Sequence, residues 1–296
     1  TQSRSSAASD VYKRQPNPQI VPIIEDELDS QFMIAPSIIA GDMSNLEKEV
    51  ERCRVGRADY IHLDVMDGQF VPNKTFDHTK IKELRPLTLI PFDAHLMINE
   101  PVKHVRNYID AGSDIITVHA EVCDESSFGE ICDMLRSSQV GIGLAINPDT
   151  ELPHWCYKFV ELLDQIIIMS VIPGKSGQKF IESTHEKIQR IAKDLKEHKF
   201  GGYIEADGGV NLENIGACFE DGARAFVGGS AIIGQNDVRM IIKEFRNKVL
   251  ESRRRLLIKK AHDLGGMEFV SKWIDLHVVG EKKDNLVQIA KEFELS

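Results

Sequence analysis

From Phe32 onward the chain alternates between short apolar runs and stretches of helical period. The runs at residues 32–39, 60–66, 89–96, 115–119, 140–146, 165–170, 203–206 and 225–227 predict eight strands. Between and after them, helices are expected from Ser44, over 77–84, 101–111, 126–137, 155–162, 180–196 and 211–221, and from Asp237. Leu46 and Val50 give the first its i, i+4 spacing, and Pro101 suits a first helical turn. Eight strands, each followed by a helix, spell an α/β (β/α)8 TIM barrel, rather than an open doubly wound sheet.

The second run carries more than a fold signal. Residues 60–72 read Y-I-H-L-D-V-M-D-G-Q-F-V-P. On a strand, Ile61, Leu63 and Val65 point one way, and His62, Asp64 and Met66 point the other. The first row suits helices packed over a parallel sheet. The second is an odd filling for a core, and the pattern recurs. Residues 93–97, D-A-H-L-M, place His95 and Met97 on one face, and residues 203–209, Y-I-E-A-D-G-G, end a strand on a carboxylate. Two His and two Asp at the C-terminal ends of three strands make a candidate metal-ligand set: His62, Asp64, His95 and Asp207. In a barrel that end is the active face.

Glycine marks three neighbouring loops on the same face. After the sixth strand stand Gly174, Lys175, Ser176 and Gly177. After the seventh stand Gly208, Gly209 and Val210, and after the eighth Gly229 and Ser230. Backbone N–H groups exposed beside helix N-termini hold phosphate in this region of many barrels. A phosphate grip beside a divalent ion suggests a phosphorylated substrate whose reactive carbon lies over the metal. Asp64 and Asp207 could stand on opposite faces of a planar enediolate, one removing a proton and the other returning it. Met66, Met97 and Met169 would wall the site with water-excluding sulfur.

Composition narrows the partners. The 296 residues are 42% hydrophobic and 28% charged, with a net charge of −10 and a pI near 5.5, which argues against nucleic-acid and anionic-membrane partners. Any anionic ligand must therefore be held by a local site. No apolar run approaches the ~20 residues of a membrane span. Five scattered cysteines without C-x-x-C spacing read as reduced thiols of a cytoplasmic protein. Residues 1–31 are expected to be a disordered or non-native leader plus lead-in, residues 32–250 the catalytic barrel, and residues 251–296 a helical extension. The extension opens with Arg253, Arg254, Arg255, Lys259 and Lys260, breaks at Gly265 and Gly266, and then carries two amphipathic segments around Trp273 and Leu286. Such faces are expected to pack on the barrel wall or on a second subunit, in a homo-oligomer.

Over residues 32–248 the chain resembles the ribulose-phosphate 3-epimerase family. The resemblance is carried in order by I-A-P-S-I, I-H-L-D-V-M-D-G-Q-F-V-P-N, H-L-M, V-H-A-E, I-N-P-D-T, the stretch from Met169 to Phe180, E-A-D-G-G-V-N and G-G-S-A-I. It implies epimerisation at C3 of a phosphorylated ketose, D-ribulose 5-phosphate to D-xylulose 5-phosphate. It implies one divalent ion (Fe2+, Zn2+, Co2+ or Mn2+) on His62, Asp64, His95 and Asp207, with Asp64 and Asp207 as the acid/base pair. It also implies that Ser37 and His95 contact the sugar, and that the three glycine loops contact the phosphate. One loop departs from the family. A polar residue and Pro-Gly-Phe-Gly-Gly are replaced by Ile172, Pro173, Gly174, Lys175, Ser176 and Gly177, which bears on the choice of sugar. Loss of a glycine at Ser176 would restrict the backbone if φ is positive there. A related 3-epimerase acting on a 6-phosphoketohexose uses the same constellation; a non-catalytic phosphosugar sensor signalling through the C-terminal extension is the alternative from another class, and the intact acid/base pair speaks against it. A decarboxylase of the orotidine-phosphate type would need D-x-K-x-x-D, but Asp64 is followed by Val65, Met66 and Asp67.

Overall fold

The computed structural model describes residues 31–265. Residues Phe32–Val249 form one unit built on eight parallel strands. They are β1 (Met33–Pro36), β2 (Ile61–Met66), β3 (Phe92–Met97), β4 (Ile115–His119), β5 (Gly141–Ile146), β6 (Gln165–Met169), β7 (Tyr203–Asp207) and β8 (Ala225–Gly228). The helices are α1 (Leu46–Gly56), α2 (His78–Leu84), α3 (Val105–Asp110), α4 (Glu125–Ser137), α5 (Thr184–Glu197), α6 (Ile215–Asp221) and α7 (Val238–Gly265). The strand order β1-β8-β7-β6-β5-β4-β3-β2 leaves only β1 and β2 to meet, and a parallel bridge between Ser37 and His62 joins them. The sheet thus curls into the expected barrel, with β2 beginning and ending on fully enclosed positions.

Several boundaries differ from the sequence expectation. The first strand ends at Pro36 instead of reaching residue 39, because Ile38–Ala40 turn into a 3-10 helix. The third begins at Phe92, not residue 89. Leu89 is fully exposed, and Pro91 has no N–H to give the ladder. The helix expected over 155–162 is two 3-10 turns, His154–Lys158 and Val160–Leu162. The helix expected from 211 starts at Ile215, since Asn211 Oδ1 accepts from the Glu213 N–H and Asn214 Oδ1 accepts from the Asn211 N–H. Those side chains hold a turn that postpones the helix. α7 continues through residue 250, where the barrel was expected to end, as far as Gly265. The leader and the segments around Trp273 and Leu286 lie outside the described residues. Among the described residues no helix is long and apolar enough to cross a membrane.

The barrel interior is layered by polarity. At its base Gln165 Nε2 donates to Asp93 Oδ1 at 2.8 Å and to Thr117 Oγ1 at 2.6 Å, while Tyr203 OH donates to Gln165 Oε1 at 2.8 Å. These groups are buried or half-buried, so their mutual bonds offset the loss of water. Gly143 makes room for them. A Cβ there would lie 1.9 Å from Thr117 Oγ1 and 3.0 Å from Gln165 Cγ. Gly143→Ala should therefore break this network and overpack the barrel, at a cost of about 1–3 kcal/mol or more. Urea denaturation should show a lower midpoint at unchanged slope.

Candidate active site

Strand register assembles the site. In β2 and β3, Asp64 pairs with His95 and Met66 with Met97, so residues of one inward row become neighbours. Across the barrel, Met169 of β6 pairs with Asp207 of β7. The closing bridge sets Ser37 beside His62, and the Ser37 hydroxyl donates to Asp64 Oδ2.

His62, Asp64, His95 and Asp207 converge as expected. His62 Nε2 lies 3.4 Å from Asp64 Oδ1 and 3.5 Å from Asp207 Oδ2, and His95 Nδ1 lies 3.3 Å from each of the same oxygens. All four residues are buried, and their ligand atoms fall within 4.8 Å of one another. Their separations fit a common ion, since ligands at ~2.0–2.2 Å in a tetrahedral arrangement lie about 3.3–3.6 Å apart. Two of the facing atoms, His62 Nε2 and Asp207 Oδ2, have no hydrogen-bond partner despite being buried. Convergent, buried and unpartnered lone pairs are the arrangement that a cation satisfies.

The electrostatics agree with that fit. Burial disfavours the charged carboxylate of Asp64, but the His62 charge and hydrogen bonds from His62 and His95 outweigh it and hold the group well below the usual range. Asp207 is lowered too. Burial and the Asp64 charge oppose the shift, and the two histidine rings that face Oδ2 at 3.3 and 3.5 Å prevail. Burial would strip a proton from each ring, yet the surrounding carboxylates push His62 and His95 upward. Two anionic carboxylates thus create a field that retains positive charge, whether a proton or a metal.

A second buried group sits under the first. Asp93 Oδ2 lies 3.0 Å from His62 Nδ1, and Glu205 Oε1 lies 3.4 Å from the same nitrogen. The Asp93 contact orients the ring so that Nε2 faces the four-ligand centre. Burial, followed by the Asp93 charge, pushes Glu205 far above the usual carboxylate range. Asp93 shares its strand face with His95, and Glu205 shares one with Asp207. That parity was the signal by which the sequence could have assigned both.

Above the ligands opens a cleft enclosing about 550 Å³ of empty space, part of it open to solvent. Ser37, Asp64 and Asp207 line it together with Met66, Met97 and Met169. The three loops complete it with Gly174, Lys175, Ser176 and Gly177, with Gly208, Gly209 and Val210, and with Gly229 and Ser230. His62 and His95 do not line the cleft; both are fully buried. Gly208 and Gly209 have φ of 116° and 66°, and a Cβ on either would lie 2.4 Å from Val171 or from the Phe180 backbone. Glycine is therefore required where these loops approach each other. Gly174 and Gly177 also have positive φ, whereas Ser176 does not, so serine fits the altered loop without backbone strain. Asn73 Nδ2 donates to Gly174 O at 2.6 Å, and Gln178 Nε2 donates to Ile172 O and Lys175 O at 2.6 and 2.9 Å. These contacts shape the loop, and sequence reasoning had given neither residue that part.

A sequence profile of the ribulose-phosphate 3 epimerase family matches residues 33–233. The chain belongs to the ribulose-phosphate 3-epimerase family. It is 40% identical over 214 residues to the ribulose-phosphate 3-epimerase of Bacillus subtilis, covering 72% of this chain and 97% of that one. It is 39% identical, also over 214 residues, to the chloroplastic ribulose-5-phosphate-3-epimerase of Arabidopsis thaliana, covering 72% and 76%. Among solved structures, 3-hexulose-6-phosphate synthase from Salmonella typhimurium covers 74% of this chain and 99% of its own, with a TM-score of 0.54 and 15% identity. That likeness concerns the fold alone. The family match spans all eight strands and all four convergent residues.

Proposed function

We propose that this chain interconverts D-ribulose 5-phosphate and D-xylulose 5-phosphate by proton transfer at C3. The observation that carries the reading is the placing of two buried carboxylates, Asp64 and Asp207, in one cleft beside two histidines and below three glycine loops. His62, Asp64, His95 and Asp207 would hold one divalent ion: Fe2+, Zn2+, Co2+ or Mn2+. The two-nitrogen, two-oxygen donor set suits each of these. When bound, it supplies positive charge against the charge that develops on the substrate oxygens.

The remaining work falls to the chain's own groups. Asp64 Oδ1 faces the histidines, so Oδ2, held by the Ser37 hydroxyl, is the oxygen placed to take the C3 proton. The C–H electron pair moves into the C2–C3 bond, and the C2 carbonyl oxygen gains the charge. Asp207 turns Oδ2 to the histidines and lines the cleft from β7. In this direction Asp207 enters the reaction protonated; its proton passes to the opposite face of C3, which inverts that carbon and leaves Asp207 ionised as Asp64 becomes the acid. Met66, Met97 and Met169 keep water from the planar intermediate. The backbone N–H groups of the glycine loops, with Ser230, hold the phosphate in place.

The ion and the carboxylates face a substrate whose length the phosphate loops set. Ser176 fits without strain, so the altered loop gives no structural reason to prefer a longer sugar. A coupled assay should give kcat/KM for D-ribulose 5-phosphate at least about 10²-fold above that for a 6-phosphoketohexose, given what one misplaced polar group costs. The reverse order would assign the chain to hexose phosphates, and no turnover of either would remove the enzymatic reading. Lys175, exposed at the rim, adds a cation beside the phosphate loops. Lys175→Ala should raise KM about 5–30-fold and change kcat little, because a phosphate contact acts alike on ground and transition states. An unchanged KM would place this side chain in solvent. We further propose a cytoplasmic homo-oligomer, supported by five unpaired cysteines, four of them buried, and by the amphipathic pattern after residue 265.

A further inference from the structure

Beyond the four convergent ligands, a line of hydrogen bonds leaves His95 and runs to the barrel rim. His95 Nε2 lies 2.8 Å from His119 Nε2 at the end of β4. The ring centroids are 4.9 Å apart and the planes differ by only 23°, so the nitrogens meet edge to edge between nearly coplanar rings. His119 Nδ1 lies 3.0 Å from Glu121 Oε2, within the 3-10 turn Ala120–Val122 that follows β4. Glu121 Oε1 accepts from the Asn147 N–H at 2.7 Å. The buried Lys187 Nζ donates to the carbonyls of Asn147, Pro148 and Thr150, at 2.6, 3.2 and 2.5 Å, and so anchors that loop.

We propose that His119 and Glu121 are positioning residues that fix the tautomer and orientation of His95, so that its Nδ1 presents a bare lone pair to the metal centre. The inference rests on the reading of that centre as a metal site. Glu121 presents Oε2 to His119 Nδ1 while its other oxygen accepts from the Asn147 N–H, and a carboxylate facing a ring nitrogen takes the acceptor role, so His119 carries its proton on Nδ1. A neutral His119 then has a bare Nε2, which can only accept. Two nitrogens 2.8 Å apart need one proton between them, so His95 must supply it from Nε2. With that proton on Nε2, a neutral His95 leaves Nδ1 free, 3.3 Å from both Asp64 Oδ1 and Asp207 Oδ2. Three acceptors facing one another require a cation. Phe70 lies 4.6 Å from the His119 ring, and His119 is fully buried.

Metal affinity is the readout, because a merely structural role would move stability and leave it alone. Parent, His119→Phe and Glu121→Ala proteins would be titrated with Co(II) against a competing chelator, and the visible spectra of the Co(II) forms recorded. His119→Phe keeps a ring against Phe70 and removes both nitrogens. It should weaken Co(II) binding about 10–100-fold and shift the visible bands, as losses of ligand-orienting partners do. Glu121→Ala, at a half-exposed position, should weaken binding in the same direction by less than His119→Phe. It carries the test alone if His119→Phe does not fold. Glu121→Gln, which keeps one acceptor for His119, should recover part of the loss. Folded variants with parental Co(II) affinity and spectrum would overturn the inference while leaving the metal site standing. A parent protein that binds no Co(II) would overturn the metal reading and this inference with it.

Discussion

Asp207→Asn is expected to abolish epimerisation while leaving half of the chemistry intact. Starting from D-ribulose 5-phosphate, Asp64 should still remove the C3 proton and return one to the same face. In D2O the recovered substrate would then gain deuterium at C3, with no D-xylulose 5-phosphate formed. Asp64→Asn should block both exchange and epimerisation from that side. The two carboxylates arrive on β2 and β7, each with one oxygen turned to the histidines, and both residues line the cleft. Removing one acid/base group should lower kcat by about 10²–10⁴-fold. Both residues also face the proposed ion, so each variant must be analysed for metal before its rate is read. A variant that keeps its metal and epimerises near the parental rate would show that two opposed bases are not required.

Stripping the ion should be equally severe. Chelation is expected to reduce turnover by at least about 10³-fold, given the several kcal/mol of charge stabilisation that a divalent ion supplies. One equivalent of Fe(II), Zn(II), Co(II) or Mn(II) per chain should restore it. The stripped protein should also melt lower. At free metal 1,000-fold above Kd, binding stabilises the folded state by about 4 kcal/mol. The four donors explain why: without a cation they face one another at 3.3–3.5 Å, and two of the atoms have no other partner. Full activity in protein shown to be metal-free would contradict this.

The convergence of His62, Asp64, His95 and Asp207 was legible in the sequence because strand alternation is rigid. Once 61–66 is a strand, His62, Asp64 and Met66 must share a face, and an imidazole beside a carboxylate on an inward face calls for chemistry. The glycine loops were legible for a similar reason: Gly208 and Gly209 stand where only glycine tolerates both the φ and the close approach. What escaped was whatever depends on register between strands or on turn geometry. No local pattern says that Gln165 on β6 will reach Asp93 on β3, or that Gly143 is small because Thr117 lies beside it. His119 and Glu121 are two apart in sequence, as on any strand. Their contact exists because the chain leaves β4 in a 3-10 turn that swings Glu121 back onto the ring. The helix expected over 155–162 failed at the same level. Its apolar residues are real, but the segment spends them in two short turns that set Trp155 and Phe159 against Phe128.

The proposed reaction is most directly tested by following the metal-loaded parent protein in D2O with NMR at the earliest turnovers. Proton removal by one carboxylate and delivery by the other predicts D-xylulose 5-phosphate carrying one solvent deuterium at C3 from the first product formed. Product that retains its original protium at C3 would contradict the two-carboxylate transfer, and absence of D-xylulose 5-phosphate would contradict the activity itself.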